Sequence, residues 1–228
     1  MRAELRFNTE TLEDQGAYLA TLAEAADESA KAVEVARLEL ETEITERRHL
    51  ETELRRLATT DGLTGVLNRS AFMAAGQHAM EQFGERAGQF GNGFAVLMID
   101  VDHFKAVNDQ FGHAGGDLAL QHLVATLRSG IRDNDLLGRL GGEEFGIVLS
   151  GASAAVADEV AQRLRSRVEA GQLKFDEKMI GMTISAGLAM RLDLDRTIDQ
   201  IIARADAALY QAKHRGRNRV VHASAIAA

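Results

Sequence analysis

The segment Arg139-Leu-Gly-Gly-Glu-Glu-Phe-Gly146 constrains this chain more than any other. It lies between Leu136-Leu137 and Ile147-Val148-Leu149. Two short apolar runs around Gly141-Gly142 predict a tight antiparallel hairpin, since glycine takes positive φ at both central turn positions at little cost. The hairpin places Glu143 and Glu144 at an uncluttered tip where a phosphate and its counter-ion could approach the backbone. A solvated acidic turn would satisfy the same eight residues, so the meaning of the segment depends on its neighbours.

On the N-terminal side, Phe94-Ala-Val-Leu-Met-Ile-Asp100 reads as a buried strand, continuing into Val101 and Asp102. Alternation puts Asp100 and Asp102 on one face and leaves the Val101 carbonyl available. Hard divalent cations take oxygen ligands, and a pair of carboxylates with phosphate oxygens is a typical set for Mg²⁺. Asp100 and Glu143 supply that pair if the strand and the hairpin are neighbours. Next comes Phe104-Lys105-Ala-Val-Asn108-Asp-Gln-Phe-Gly-His113-Ala-Gly-Gly-Asp117. An Asp accepts from guanine N1–H and N2–H₂ while an Asn contacts O6 or N3, so Asn108 and Asp117 can read a guanine edge. The same Asn, Asp and Gly residues also form ordinary turns. Near the C-terminus, Lys213 and Arg217 flank Gly216, where a helix is predicted to end. Cations there suit phosphate and also compensate a helix C-terminus. Arg132-Asp-Asn-Asp135 stands nine residues before Gly141; taken alone, an Arg-x-x-Asp pattern is common as a surface ion pair.

Together these residues resemble the GGDEF family of diguanylate cyclases in its Gly-Gly-Glu-Glu-Phe variant. The resemblance runs from Asp61-Gly-Leu-Thr to about residue 221. It implies a palm-like, ferredoxin-type central sheet surrounded by helices, and condensation of two GTP into cyclic di-GMP and two pyrophosphates across a homodimer. It implies two Mg²⁺ (or Mn²⁺) per active site, held by Asp100, the Val101 carbonyl and Glu143. Glu143 would be the general base with Glu144 in support, and Lys105 would offset charge on phosphate. Asn108 and Asp117, with His113 nearby, would bind guanine, and Lys213 and Arg217 the triphosphate. An inhibitory site for product would comprise Arg132, Asp135 and Arg163 of the following helix. The family more often carries Ala or Leu where this chain has Gly146, and Val66 and Ser70 are milder variants. The other reading is a non-catalytic module that senses GTP or cyclic di-GMP through its coiled coil. A coiled-coil assembly protein with a relic globular end is a third.

Residues 1–57 differ in character. They hold 8 Lys/Arg against 14 Asp/Glu, a charge of -6 out of the chain's -8. Leu5, Leu12, Leu19, Ala26, Val33, Leu40 and Leu54 recur at seven-residue spacing, interrupted by Arg47. A second stripe alternates polar Asn8, Gln15, Ser29 and Glu43 with Leu22, Ala36, Leu50 and Leu57. This predicts a long helix, either a coiled coil with a partly polar seam or an amphipathic helix lying on the globular domain, with Gly16 as its weak point. The boundaries expected are 1–57 for this helix, 58–222 for the catalytic domain and 223–228 for a tail.

After the junction at Asp61, Asn68 is placed to cap a helix through Phe83, followed by a glycine-rich loop over Gly84–Gly93. Past the strand, a short helix over Phe104–Val107, a loop to Gly116 and a helix over Leu118–Leu127 are expected. Beyond the hairpin come a helix over Ala154–Val168, a strand over Met182–Leu188, a helix over Ile198–Ala212 and a last strand at Arg219–Val221. The acidic balance disfavours a nucleic-acid groove. Cysteine is absent, so disulfides and thiolate metal sites are excluded. No apolar stretch is long enough to cross a bilayer and no signal core precedes Leu12, so the cytoplasm is the expected compartment.

Overall fold

The structure, a computed structural model, describes the backbone of residues 2–86 and 93–224 and the side chains of 15–31, 33–83 and 93–224. It contains two compact units, Met1–Arg55 and Arg56–Ala228. Most of the glycine-rich loop and the end of the expected tail lie outside the described residues. So do the side chains of Leu5, Asn8 and Leu12.

The first unit is helical, part of α1 (Arg2–Thr59). Gly16 does not interrupt it. Leu19, Leu22, Val33, Leu40, Leu50, Leu54 and Leu57, all on the two predicted stripes, are exposed along it, each by 55% or more. Ion pairs at (i, i+4) spacing, Lys31–Asp27, Arg37–Glu41 and Arg47–Glu51, run along the helix. Each is worth only a few tenths of a kcal/mol. No helix among the described residues is long and apolar enough to cross a membrane.

The second unit is built on a five-stranded sheet in the order β2-β3-β1-β6-β7. The strands are β1 (Phe94–Val101), β2 (Leu136–Gly141), β3 (Glu144–Ser150), β6 (Ile184–Met190) and β7 (Val220–His222). β1 is antiparallel to both β3 and β6, β2 is antiparallel to β3, and β7 runs parallel to β6. With α3 (Phe104–Arg128) joining β1 to β2 and α4 (Ala154–Ala170) between β3 and β6, the first four strands have the split β-α-β order of the expected ferredoxin-type sheet.

The two faces of the sheet carry separate cores. Leu97, Ile99, Phe145, Ile147 and Leu149 pack with Leu120, Leu123 and Leu127 of α3 and Ala161 and Leu164 of α4. Val96, Met98 and Val148, one residue out of step, pack with Phe72 and Met80 of α2 (Arg69–Arg86) and Ile201, Ala205 and Leu209 of α5 (Ile198–His214). A central strand buried on both faces reads as an unbroken apolar run, as β1 does. Asn68 caps α2, its Oδ1 accepting from the Ala71 N–H at 3.0 Å and its Nδ2 donating to the Ala58 carbonyl at 2.8 Å.

The structure differs from the expected elements in two places. The predicted loop between Val107 and Gly116 is largely helical. Helix runs through Phe104–Arg128, and the break is confined to Gly112, whose φ of 70° and ψ of 173° kink the element. Sequence reading also missed a separate hairpin, β4 (Gln172–Phe175) with β5 (Lys178–Gly181), turning at Asp176 with φ 52°. At the expected start of the tail, the Ala223 N–H donates to the Leu188 carbonyl at 2.8 Å.

Candidate active site

The β2–β3 hairpin forms, but not for the expected reason. Arg139 pairs with Phe145 and Gly141 with Glu144, so Leu140 is the extra residue of a bulge. The bulge shifts the turn by one position, and its central residues are Gly142 and Glu143. Neither Gly141 nor Gly142 is among the residues of positive φ. The glycines serve by leaving space: a Cβ on Gly142 would meet nothing within 4 Å, and one on Gly141 would crowd the Glu144 carboxylate at 3.3 Å. Glu143 and Glu144 are half-buried, not fully exposed.

Register then brings the acids together. Asp100 on β1 stands directly opposite Glu144 on β3, and residues so paired share a face. Glu143 is the adjoining turn residue, and its carbonyl accepts from the Val101 N–H at 3.4 Å. Burial pushes the Asp100 carboxyl above its ordinary range. The Lys213 ammonium opposes that shift, and the charges of Glu143 and Glu144 add to it. Lys213 itself is not free at its helix end: its Nζ lies 2.7 Å from Asp100 Oδ2. Among the described residues no three His, Cys, Asp or Glu side chains converge as a ready-made metal cluster. The donor set expected here needs only two carboxylates and a carbonyl. Asp100 feels the charges of Glu143 and Glu144, and Lys213 is the cation that opposes them among the described residues, so the residues present fit a divalent ion.

Asp102 does not join Asp100 in the site. It is buried, and its carboxylate accepts from Thr183 Oγ1 and Ser185 Oγ, each at 2.7 Å, and from the Asn218 N–H at 3.0 Å. Lys105, His113 and Asp117 are exposed on α3. Asn108 lies against the helix after the kink: a Cβ on Gly116 would fall 1.9 Å from Asn108 Oδ1. That close approach sets Asn108 beside the segment carrying Asp117. Arg217 is exposed in the loop after α5.

A residue that sequence reading passed over ties the hairpin down. Arg139 Nη1 lies 3.0 Å from Asp61 Oδ1 and 3.1 Å from Oδ2, while its Nε donates to the Gly142 carbonyl at 2.8 Å. The Asp-Gly-Leu-Thr junction and the Gly-Gly turn are thus joined by one guanidinium. Burial alone would raise the Asp61 carboxyl; hydrogen bonds from Thr64 and Arg139 overcome that and hold it below its ordinary range. The signal in the sequence was an Arg immediately before the turn, readable only with a known partner.

Arg132, Asp135 and Arg163 line one cavity of about 210 Å³ between the start of β2 and α4. Asp135 Oδ2 accepts from the Arg132 N–H at 2.9 Å, and Arg163 Nη2 donates to the Gly130 carbonyl at 2.8 Å. Burial raises the Asp135 carboxyl above its usual range, against the opposing pull of Arg132. This cavity stands at the far end of β2 from the acidic turn, roughly 20 Å along the strand.

The family model "Diguanylate cyclase, GGDEF domain" matches residues 58–219. Diguanylate cyclase A of Treponema denticola is 37% identical over 170 residues, covering 74% of this chain and 45% of that protein. The chain therefore spans less than half the length of this curated relative. The coiled coil and GGDEF domain of DgcB from Caulobacter crescentus, solved in complex with c-di-GMP, superposes with a TM-score of 0.74 at 33% identity. It covers 82% of this chain and 98% of that one. The active GGEEF domain of a diguanylate cyclase from Vibrio cholerae superposes with a TM-score of 0.63 at 33% identity, covering 69% and 99%. With paired acids on β1 and β3, the ferredoxin-type strand order and a family match over residues 58–219, the chain belongs to the GGDEF-domain family of diguanylate cyclases.

Proposed function

We propose that the chain condenses two GTP molecules into cyclic di-GMP with release of two pyrophosphates, as a homodimer in which each domain holds one nucleotide. The observation that carries this reading is the direct pairing of Asp100 with Glu144, with Glu143 in the adjoining turn. Asp100, the Val101 carbonyl and Glu143 would hold two Mg²⁺ or Mn²⁺, which when bound neutralise the triphosphate and polarise the attacked phosphorus. Asn108 and Asp117 bind the guanine edge, Asp117 accepting from N1–H and N2–H₂. The open space at Gly142 admits the phosphates to the turn. Lys213 and Arg217 contact the β- and γ-phosphates, with Lys213 exchanging its Asp100 partner for phosphate oxygen, and Lys105 offsets charge in the transition state.

Each 3′-oxygen attacks the α-phosphorus of the facing nucleotide. The new P–O bond forms as the α–β bridging bond breaks, pyrophosphate leaves with that electron pair, and Glu143 takes the 3′-hydroxyl proton. Glu144 keeps Glu143 and Asp100 in a shared acidic field. Two such steps close the ring, so the reaction needs two facing domains, which the apolar stripe of α1 assembles by raising the effective concentration of the second. Cyclic di-GMP returns to the Arg132–Asp135–Arg163 cavity, where cations meet phosphate and Asp135 meets a guanine edge. The test is incubation of the purified chain with GTP and Mg²⁺ and chromatography of the products. Cyclic di-GMP and pyrophosphate in a 1:2 ratio are expected; their absence, with the protein folded and dimeric, would overturn the catalytic reading.

A further inference from the structure

The loop that carries Arg217 has an unusual backbone. After α5 the chain passes through three consecutive residues of positive φ, Gly216 at 110°, Arg217 at 61° and Asn218 at 45°. Glycine tolerates this, but each of the two L-residues costs on the order of 1 kcal/mol and persists only where its surroundings over-determine it. The surroundings are specific. The Asn218 N–H donates to Asp102 Oδ2 at 3.0 Å. Asn218 Oδ1 accepts from Arg165 Nη1 at 2.9 Å, and its Nδ2 donates to Glu169 Oε1 at 2.6 Å. Arg165 and Glu169, one turn apart on α4, also bond each other at 2.7 Å. On the helix side, the Arg217 N–H donates to the Ala212 carbonyl at 3.1 Å. Arg217 is therefore the exposed link between the end of α5 and a residue clamped to β1 and α4.

Asp102 is the centre of the clamp. It is 5% exposed and its two oxygens hold Thr183, Ser185 and the Asn218 backbone. It sits next to Val101, so one carboxylate joins the strand that presents Asp100 and Val101 to the loop that presents Arg217. None of these hydrogen bonds goes to the acidic turn. A group placed so can act on substrate only through others.

We propose that Asp102 is a positioning residue: through the Asn218 N–H it holds the Gly216–Asn218 loop in its left-handed conformation and so sets where the Arg217 guanidinium meets the triphosphate. This rests on the reading of Arg217 as a phosphate contact. Asn218 and Arg165 are the outer members of the same clamp. Releasing it lets the loop relax to ordinary φ and carries Arg217 away from the phosphates, leaving the acids on β1 and the hairpin in place.

The test is a double-mutant cycle on nucleotide binding, read by calorimetry with 3′-deoxy-GTP, which lacks the attacking hydroxyl and cannot turn over. Asp102→Ala is expected to weaken binding about tenfold, equivalent to ~1.4 kcal/mol. In an Arg217→Ala background the same change should weaken it less than twofold, because the group it positions is gone. Arg165→Met, outside the buried cluster, should reproduce the pattern at smaller amplitude and serves if Asp102→Ala does not fold. Amide hydrogen exchange at Arg217 and Asn218 should quicken in both clamp variants. Equal losses with and without Arg217 would overturn the positioning role while leaving the catalytic reading intact. Arg217→Ala binding as tightly as the parent chain would overturn the phosphate contact, and the proposal with it.

Discussion

Gly146 on β3 has no room for a side chain, and the reason is its neighbour across the sheet face. Gly146 on β3 is paired with Gly138 on β2, and the Phe72 ring from α2 covers both. A Cβ on Gly146 would fall 2.6 Å from Phe72 Cζ and 2.8 Å from Cε1, with Leu140 Cδ1 at 3.1 Å. The ring cannot retreat. Its near end already lies on the other glycine, where an added Cβ would meet Phe72 Cβ at 2.7 Å, and the side chain is fully buried. Gly146→Ala therefore overpacks a closed site, at a cost of about 2 kcal/mol within the usual range for such changes. For a domain of this size that corresponds to a fall in Tm of about 4–8 °C. Removing the ring tip should remove the conflict, so Gly146→Ala should cost far less in a Phe72→Leu background, with a coupling of about 1–2 kcal/mol. Thermal and urea unfolding of the four proteins measure this. If Gly146→Ala melts within ~1 °C of the parent, or costs the same with and without the ring, Phe72 is not what excludes a side chain at Gly146.

Four further outcomes are expected. Glu143→Gln should lower turnover by more than about a hundredfold with little change in melting, and a loss of tenfold or less would remove the residue from proton transfer. Arg132→Ala should raise the concentration of cyclic di-GMP needed for inhibition without reducing the initial rate, because the cavity is distant from the acidic turn; undiminished inhibition would place the product elsewhere. The folded Asp61 carboxyl is held low, so its contribution to stability is full above the unfolded pKa and is lost as pH falls through the lowered folded value. Asp61→Asn should flatten that acid limb in urea titrations, and an unchanged slope would mean that the Arg139 contact is energetically silent. Deleting residues 1–57 should leave a folded domain whose specific activity rises with protein concentration, and a truncated chain still dimeric on sedimentation would discount α1 as the dimerisation device.

Much of the fold was legible because its signals are local. The unbroken apolar run of β1, the helical spacing of α4 and α5 and the Asn68 cap each lie within a few residues of chain. The long α1 could be read the same way, whereas the occupant of its apolar stripe could not, since a seven-residue repeat describes one strand of an assembly. In the site, the residue types were readable and several of their partners were not. Lys213 was legible as a cation near a helix end, but its 2.7 Å contact with Asp100 was not. The β4–β5 hairpin was missed because its alternation covers only four residues a side, too short to stand out from a loop.

The sequence by itself determined the apolar strands, the helices that cover them and the presence of acids at the end of one strand and at the tip of a hairpin. These follow from periodicity and from side-chain chemistry that any neighbourhood preserves. Only the tertiary structure decided which acid faces which. The bulge at Leu140 moved the β2–β3 turn by one residue, and the unbroken β1–β3 register set Glu144, not Glu143, opposite Asp100. Tertiary contacts likewise gave Asp100 and Asp102, both buried, different partners: Asp100 meets Lys213 and faces Glu144, whereas Asp102 is held by Thr183, Ser185 and an amide 116 residues away. Two carboxylates two residues apart are equivalent as a pattern. What distinguishes them is which hydrogen-bond donors arrive from distant parts of the chain, and a buried carboxylate must be met by such donors or remain unfolded in water.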